Sequence, residues 1–170
     1  KLIIGEILEK KRKFLAESFE KFKNLNILDV GCGDIETVKN FQCKKYLGID
    51  VSEESLKIAK EKRPDWNFSK KNLIDIESNS FELVICLDVL IHQSSYKNYI
   101  DLINESIRVS NNSLLISGYE EKIDSEGIVF YYEELSKSLL KNQKVSQIKK
   151  IGDYRDLKLF LVQIKNIHET

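Results

Sequence analysis

Ile27-Leu28-Asp29-Val30-Gly31-Cys32-Gly33-Asp34 is the stretch around which the rest of the chain is arranged. An apolar run closes on an acid, and two glycines follow at alternate positions. This is the pattern of a buried parallel strand that ends in a tight turn at the edge of a ligand crevice. Without a Cβ, glycine lets the backbone turn sharply and lets a ligand lie against it. The acid at the strand end repels phosphate and attracts a cationic or hydroxyl-bearing group. The stretch therefore reads as a nucleoside-binding loop that does not cradle phosphate. A dinucleotide fingerprint would place its third glycine where Glu36 stands, and a carboxylate there would face the pyrophosphate. The Gly-Lys-Ser/Thr of a phosphate-binding loop occurs nowhere.

Upstream, residues 5–23 place Ile7, Leu8, Phe14, Leu15, Phe19 and Phe22 at helical spacing, which predicts a helix packed beside the sheet. Downstream, Asp34–Phe41 is expected to be a short helix whose N-terminus points back at the glycines. Tyr46–Val51 is a second apolar strand, ending at Asp50. Ser52-Glu53-Glu54-Ser55 then caps a helix with acids in its first turn, and Pro64, the only proline, closes it. Trp66–Ser69 reads as a third strand, Phe81–Asp88 as a central fourth and Ser113–Gly118 as a fifth, entered through a turn at Asn111-Asn112. Tyr96–Val109 repeats its apolar residues with a clear helical period, and Phe130–Lys141 is expected to form another helix. Lys144–Ile151 and Lys158–Ile164 are strands whose short link, Gly152–Asp156, forces antiparallel pairing. The fold class is α/β: one doubly wound, mostly parallel seven-stranded sheet with a terminal antiparallel hairpin and helices on both faces.

At 170 residues the chain is expected to be a single domain, able to bury roughly 70% of its unfolded surface. Basic and acidic residues balance at 27 each, so no basic field recommends a nucleic acid or an anionic membrane as partner. No run approaches the ~18 apolar residues of a membrane helix, and no signal-peptide pattern opens the chain; a cytoplasmic protein is expected. Cys32, Cys43 and Cys86 are too scattered for a disulfide framework, and with only His92 and His168 to join them no metal site is expected. The chain contains no methionine, so part of the site is allowed to precede Lys1.

The Asp29-Val30-Gly31-Cys32-Gly33 run resembles motif I of the class I S-adenosylmethionine (SAM)-dependent methyltransferases, Asp/Glu-x-Gly-x-Gly. One departure is Ile35, where many members carry a further glycine. The order of elements over residues 5–165 is similar to that family's seven-stranded architecture. The resemblance implies an enzyme that uses SAM and releases S-adenosylhomocysteine. It divides the chain into an N-terminal helical lid (1–25), a cofactor-binding half (26–118) and an acceptor-side helix and hairpin (119–170).

SAM needs a backbone turn for its amino-acid tail, a carboxylate for its ribose diol and an apolar slot for adenine. Asp29, Gly31, Cys32 and Gly33 fit the first need. Asp50 fits the second, since it ends strand two nineteen residues after Gly31, close to the spacing of about 20 by which dinucleotide folds place their ribose acid. Val51 and Leu73 fit the third, with Asn72 (or Asp75, three residues on) accepting from the adenine amino group. Leu87 and Asp88 join the cofactor set at the end of strand four, Asp88 beside the methionine portion or orienting the acceptor. His92 stands where the family commonly has a histidine facing the acceptor, and it is the candidate base for an acceptor hydroxyl. Tyr119 and Tyr131 are the candidate acceptor-pocket aromatics.

The segment Leu87-Asp88-Val89-Leu90 lacks the Asn/Asp-Pro-Pro-Tyr/Phe of amino-group methylases, and no Pro-Cys is present for a cytosine C5 nucleophile. A small-molecule hydroxyl (sugar, nucleotide-sugar or metabolite) is the expected acceptor. Two alternatives stay open: a protein or RNA methyltransferase that works with a partner, and a SAM-binding module without catalysis. A nicotinamide dehydrogenase is disfavoured by Glu36. The oligomeric state is not legible in the sequence.

Overall fold

A computed structural model describes residues 2–124 and 127–165, excluding the side chains of 2–4 and 17–20. Phe19's side chain and His168 therefore lie outside the described residues. The chain opens with α1 (Leu2–Phe22), then β1 (Asn26–Val30), β2 (Lys45–Ile49), α2 (Glu53–Lys62), β3 (Asn67–Ser69) and β4 (Phe81–Cys86). It continues through α3 (Tyr96–Val109), β5 (Ser110–Tyr119), α4 (Leu135–Leu140), β6 (Val145–Tyr154) and β7 (Leu157–Ile164). Among the described residues the seven strands form one sheet in the order β3-β2-β1-β4-β5-β7-β6. Every pairing is parallel except those of β7 with β5 and β6.

Side chains alternate across the strands and feed two cores. Leu28, Val30, Val84, Cys86, Leu114 and Ile116 pack against α3 and α4 through Tyr99, Ile103, Ile107, Leu135 and Leu139. Ile27, Leu83, Ile85, Leu115 and Leu159 pack on the other face, under Leu15 and Phe22 of α1 and Ala59 of α2. The sheet is thus doubly wound, as the sequence predicts. Ser52 caps α2 by accepting from the Ser55 amide at 3.2 Å, and Ser95 caps α3 in the same way.

Four local expectations are corrected. The 34–41 segment is a chain of turns, not a helix: Ile35 has φ +57°, a left-handed conformation costly for a β-branched residue, and this interrupts helical propagation. Between β3 and β4 the chain likewise has only a 3-10 turn, Leu73–Asp75. Asn111-Asn112 is not a turn but part of β5, where these two residues oppose the single Glu82 of β4 in a bulge between Phe81 and Leu83. In the predicted helix 130–141 only Leu135–Leu140 is helical: Glu134 before it is extended, and the Phe130 amide donates to the Ile91 carbonyl at 2.8 Å. The last hairpin is tighter than Gly152–Asp156: β6 runs on to Tyr154, and Arg155-Asp156 alone turns the chain, with Arg155 at φ +52°. Gly152 lies inside β6, where a Cβ would come within 2.4 Å of the Phe14 ring; its absence lets α1 settle on this strand.

Candidate active site

In an open sheet the chain diverges on either side of a switch point, and the crevice at the carboxyl ends of those strands is the natural ligand site. Here the switch lies between β1 and β4. A cavity of about 600 Å³ opens there, lined by residues following β1, β2, β3 and β4 and by Lys11 of α1. Its wall includes Asp29, Gly31, Cys32, Asp50, Val51, Asn72, Leu73, Leu87, Asp88 and His92. Of the two candidates for the adenine amino group, Asn72 is in the wall and Asp75 is not.

The glycine turn is built as its residue types require. Gly31 (φ +67°) and Gly33 (φ +54°) are both left-handed, and a Cβ on Gly31 would approach Val89 Cγ2 to 2.4 Å. The Gly31 and Cys32 amides donate to the Ile49 carbonyl at 2.8 and 3.1 Å, tying the turn to β2. The Cys32 side chain is buried in the core, and burial pushes its thiol well above the ordinary range. Asp50 is held from two sides: Oδ2 accepts from the Gly33 amide at 2.9 Å and Oδ1 from the Ser52 amide at 2.8 Å. A carboxylate has about four acceptor positions, so each oxygen keeps a lone pair for a ligand. Val51 beside it is 83% exposed, an apolar side chain left bare at the rim of a cavity.

Asp29 is different. It is only 5% exposed, its Oδ2 accepts from the Tyr46 hydroxyl at 2.6 Å, and desolvation raises its carboxyl pKa to about 7. Glu36, expected to repel a pyrophosphate, turns away from this cavity. It binds Lys39 at 2.6 Å, Arg12 at 2.7 Å and Lys62 at 2.8 Å, thereby tying α1 and α2 to the turn. The hydrogen bond from Lys39, followed by that from Lys62, holds its carboxyl down at about 2.

Asp88 adopts φ +62°, another left-handed position without glycine. Such a residue costs of order 1–3 kcal/mol and persists where its surroundings over-determine it. They do so here. The Asp88 amide donates to Ser117 Oγ at 2.8 Å, the Tyr154 hydroxyl donates to Oδ1 at 2.6 Å, and Lys11 pairs with Oδ2. His92 lies on a 3-10 turn (Leu90–His92) after β4, with Nδ1 2.9 Å from the Ile128 carbonyl. A carbonyl only accepts, so Nδ1 carries the proton and Nε2 keeps its lone pair.

Lys11, Asp88 and His92 also border a second cavity of about 620 Å³ on the far side, lined by Tyr119, Val129, Leu157 and the N-terminal part of α1. Tyr119 is in that wall, where burial raises its hydroxyl pKa. Tyr131 borders neither cavity; its segment is extended rather than helical, and this is a correction to the sequence reading. Lys11, Ser117 and Tyr154 were not foreseen. Lys11 did leave a signal: it falls on the apolar stripe of α1, four residues after Ile7 and four before Leu15, where a charge needs a partner. Among the described residues no cluster of three or more His, Cys, Asp or Glu is arranged to hold a metal, and no helix is long and apolar enough to cross a membrane.

Residues 28–113 match a family described as a methyltransferase domain. The chain belongs to the class I SAM-dependent methyltransferases. Its cofactor is SAM. The fold is similar to that of magnesium protoporphyrin IX methyltransferase from Synechocystis PCC 6803 with bound S-adenosylhomocysteine, with a TM-score of 0.73, 15% identity, and 96% of this chain and 84% of that one covered. It is similar also to the N-methyltransferase NodS from Bradyrhizobium japonicum WM9, with a TM-score of 0.70, 17% identity, and 93% and 94% covered. The [4+2]-cyclase SpnF shares the fold at a TM-score of 0.66 and 15% identity, with 92% and 80% covered. A search of curated proteins returns no match to this methyltransferase.

Proposed function

We propose that this methyltransferase methylates a hydroxyl of a small molecule, with the cofactor in the 600 Å³ cavity and His92 as the base. The observation that carries the reading is the place of His92 at the border of both cavities, its Nδ1–H spent on the Ile128 carbonyl and its Nε2 left to accept a proton. Of the common acceptors, a neutral hydroxyl is the one that needs such help; a carboxylate or thiolate does not.

The cavity fits the cofactor. Asp50, fixed by two amides, is assigned the ribose diol through its remaining lone pairs. Val51 and Leu73 are assigned the adenine faces and Asn72 its amino group. The amino-acid tail is assigned to the turn at Gly31, Cys32 and Gly33 and to Leu87 and Asp88. Asp29, just before that turn and in the cavity wall, has one oxygen committed to Tyr46. When bound, SAM would supply a sulfonium-activated methyl carbon to the acceptor oxygen, its carbon–sulfur electron pair staying with the S-adenosylhomocysteine released. His92 receives the acceptor's proton and passes it to solvent. The over-determined Asp88 keeps the floor between the two cavities fixed, which is where alignment of acceptor and methyl is decided.

The test is label transfer from methyl-labelled SAM to hydroxyl acceptors by the wild type and His92→Ala. The expected loss in kcat is about 10²–10⁴-fold, with S-adenosylhomocysteine affinity unchanged. Equal rates in the two proteins would remove His92 from the chemistry.

A further inference from the structure

We propose that the second cavity is the acceptor chamber and that it takes a compound with an apolar body, an aromatic or alicyclic ring system bearing the hydroxyl, rather than a sugar or nucleotide-sugar. The proposal rests on the hydroxyl-methylation reading above and narrows it. The chamber touches the cofactor cavity along Lys11, Asp88 and His92, so a ligand in it faces the candidate base. At about 620 Å³ it has the size of a small-molecule site.

Four separate segments of its wall contribute hydrocarbon, Ile7 and Leu8 from α1, Ile91 from the turn after β4, Val129 from the loop before α4 and Leu157 from the start of β7, with the ring of Tyr119 beside them, while the turn after β1 adds the carboxylates of Asp34 and Glu36. Four of the charged groups within it are already engaged. Lys11 is paired with Asp88, Asp34 with Lys62 at 2.7 Å, and Glu36 with Arg12, Lys39 and Lys62. Arg155 and Asp156 join the wall from the exposed hairpin tip, one charge of each sign, so the tip offers a diphosphate no net positive charge. A hexose brings several hydroxyls, and each one buried without a partner carries a desolvation penalty. An apolar ring carries none and gains from every wall it touches. A phenolic hydroxyl is also the easier one for an imidazole to deprotonate, since its acidity is close to that of a tyrosine.

The experiment is calorimetric titration of the S-adenosylhomocysteine-loaded protein, and of the protein alone, with 2-naphthol and separately with UDP-glucose. It is run on the wild type and on Leu8→Asp and Val129→Asp, two half-buried positions on different elements. The expected result is binding of 2-naphthol and none of UDP-glucose, with at least a tenfold loss of 2-naphthol affinity in both variants and no change in S-adenosylhomocysteine affinity. Binding of UDP-glucose in preference, no 2-naphthol binding up to its solubility limit, or undiminished binding in both variants overturns the proposal. Label transfer to bound 2-naphthol is measured in parallel: 2-naphthol that binds and is not methylated upholds the apolar chamber and refutes the hydroxyl reading instead.

Discussion

The two cavities that meet at Lys11, Asp88 and His92 are built from different kinds of material. Apart from Lys11, the first takes its wall from the carboxyl ends of four adjacent parallel strands, and its defining groups are the left-handed Gly31 and the Asp50 carboxylate, which two N–H donors hold, one of them the amide of the left-handed Gly33. The second takes its wall from side chains of α1, the turns after β1 and β4, Tyr119, Val129 and the terminal hairpin, elements far apart in the chain. A site made of backbone geometry tolerates little change in residue type at its turn. A site made of converging side chains is retuned by single substitutions on its rim, and this suits a fold in which the cofactor is shared while the acceptor varies.

Gly31→Ala should do the most damage on the first side. It places a Cβ at φ +67° and within 2.4 Å of Val89 Cγ2, so a loss of about 2–4 kcal/mol in unfolding free energy is expected, together with loss of S-adenosylhomocysteine binding. Chemical denaturation and calorimetry measure the two effects, and a variant of unchanged stability would show that the turn is not constrained as described.

Asp29→Asn should act in the opposite direction. The folded-state pKa of Asp29 is raised to about 7 from 3.8, so the native state holds its proton more tightly than the unfolded chain. Stability from this group is present below about pH 4, falls as pH rises through 7, and above that leaves an ionised carboxylate buried. The variant is therefore expected to be more stable than the wild type by about 2 kcal/mol at pH 8, with the gap closing as pH falls toward 4. Stability curves at pH 5 and pH 8 check it; a gap that does not depend on pH would place the charge elsewhere.

Glu36→Gln should have the smallest effect, because the pair network it joins is partly in solvent. Here the folded pKa is lowered to about 2 from 4.5, so the stabilisation is present above 4.5 and is lost as pH falls through 2. With solvent screening allowed for, a cost of about 1 kcal/mol at neutral pH is expected, and wild type and variant should converge in acid. Salt titration sharpens the point, since a cost that persists at 1 M salt would not be electrostatic.

The same difference between the cavities explains what the sequence disclosed. The first was legible because its parts are local: β1 and its glycines, the acid closing β2 and the Ser52 cap all fall between residues 26 and 52 and carry their reasons in residue type. The helix Tyr96–Val109 was legible through its apolar period. Ile35 misled the reading, since nothing in its neighbours announces a left-handed isoleucine, and a helix was expected where turns occur. The 130–134 stretch misled it too: its aromatics have a helical look in sequence but are held extended by the Ile91 carbonyl and by the Tyr132 hydroxyl, which donates to the Gln93 carbonyl at 2.8 Å. The second cavity was hardly visible. Leu8, Val129 and Leu157 are ordinary apolar residues until the sheet order brings α1 and the hairpin together over β4. Tyr154 and Ser117 likewise become partners of Asp88 only in three dimensions.

The most direct test of the account is calorimetric titration of the wild type and Asp50→Ala with S-adenosylhomocysteine, with NAD as the contrasting ligand. The account predicts S-adenosylhomocysteine binding that weakens about 100-fold in the variant, the worth of a charge-assisted pair of hydrogen bonds, and no binding of NAD. Undiminished binding in Asp50→Ala would contradict the ribose assignment. NAD bound in place of S-adenosylhomocysteine would contradict the site as a whole.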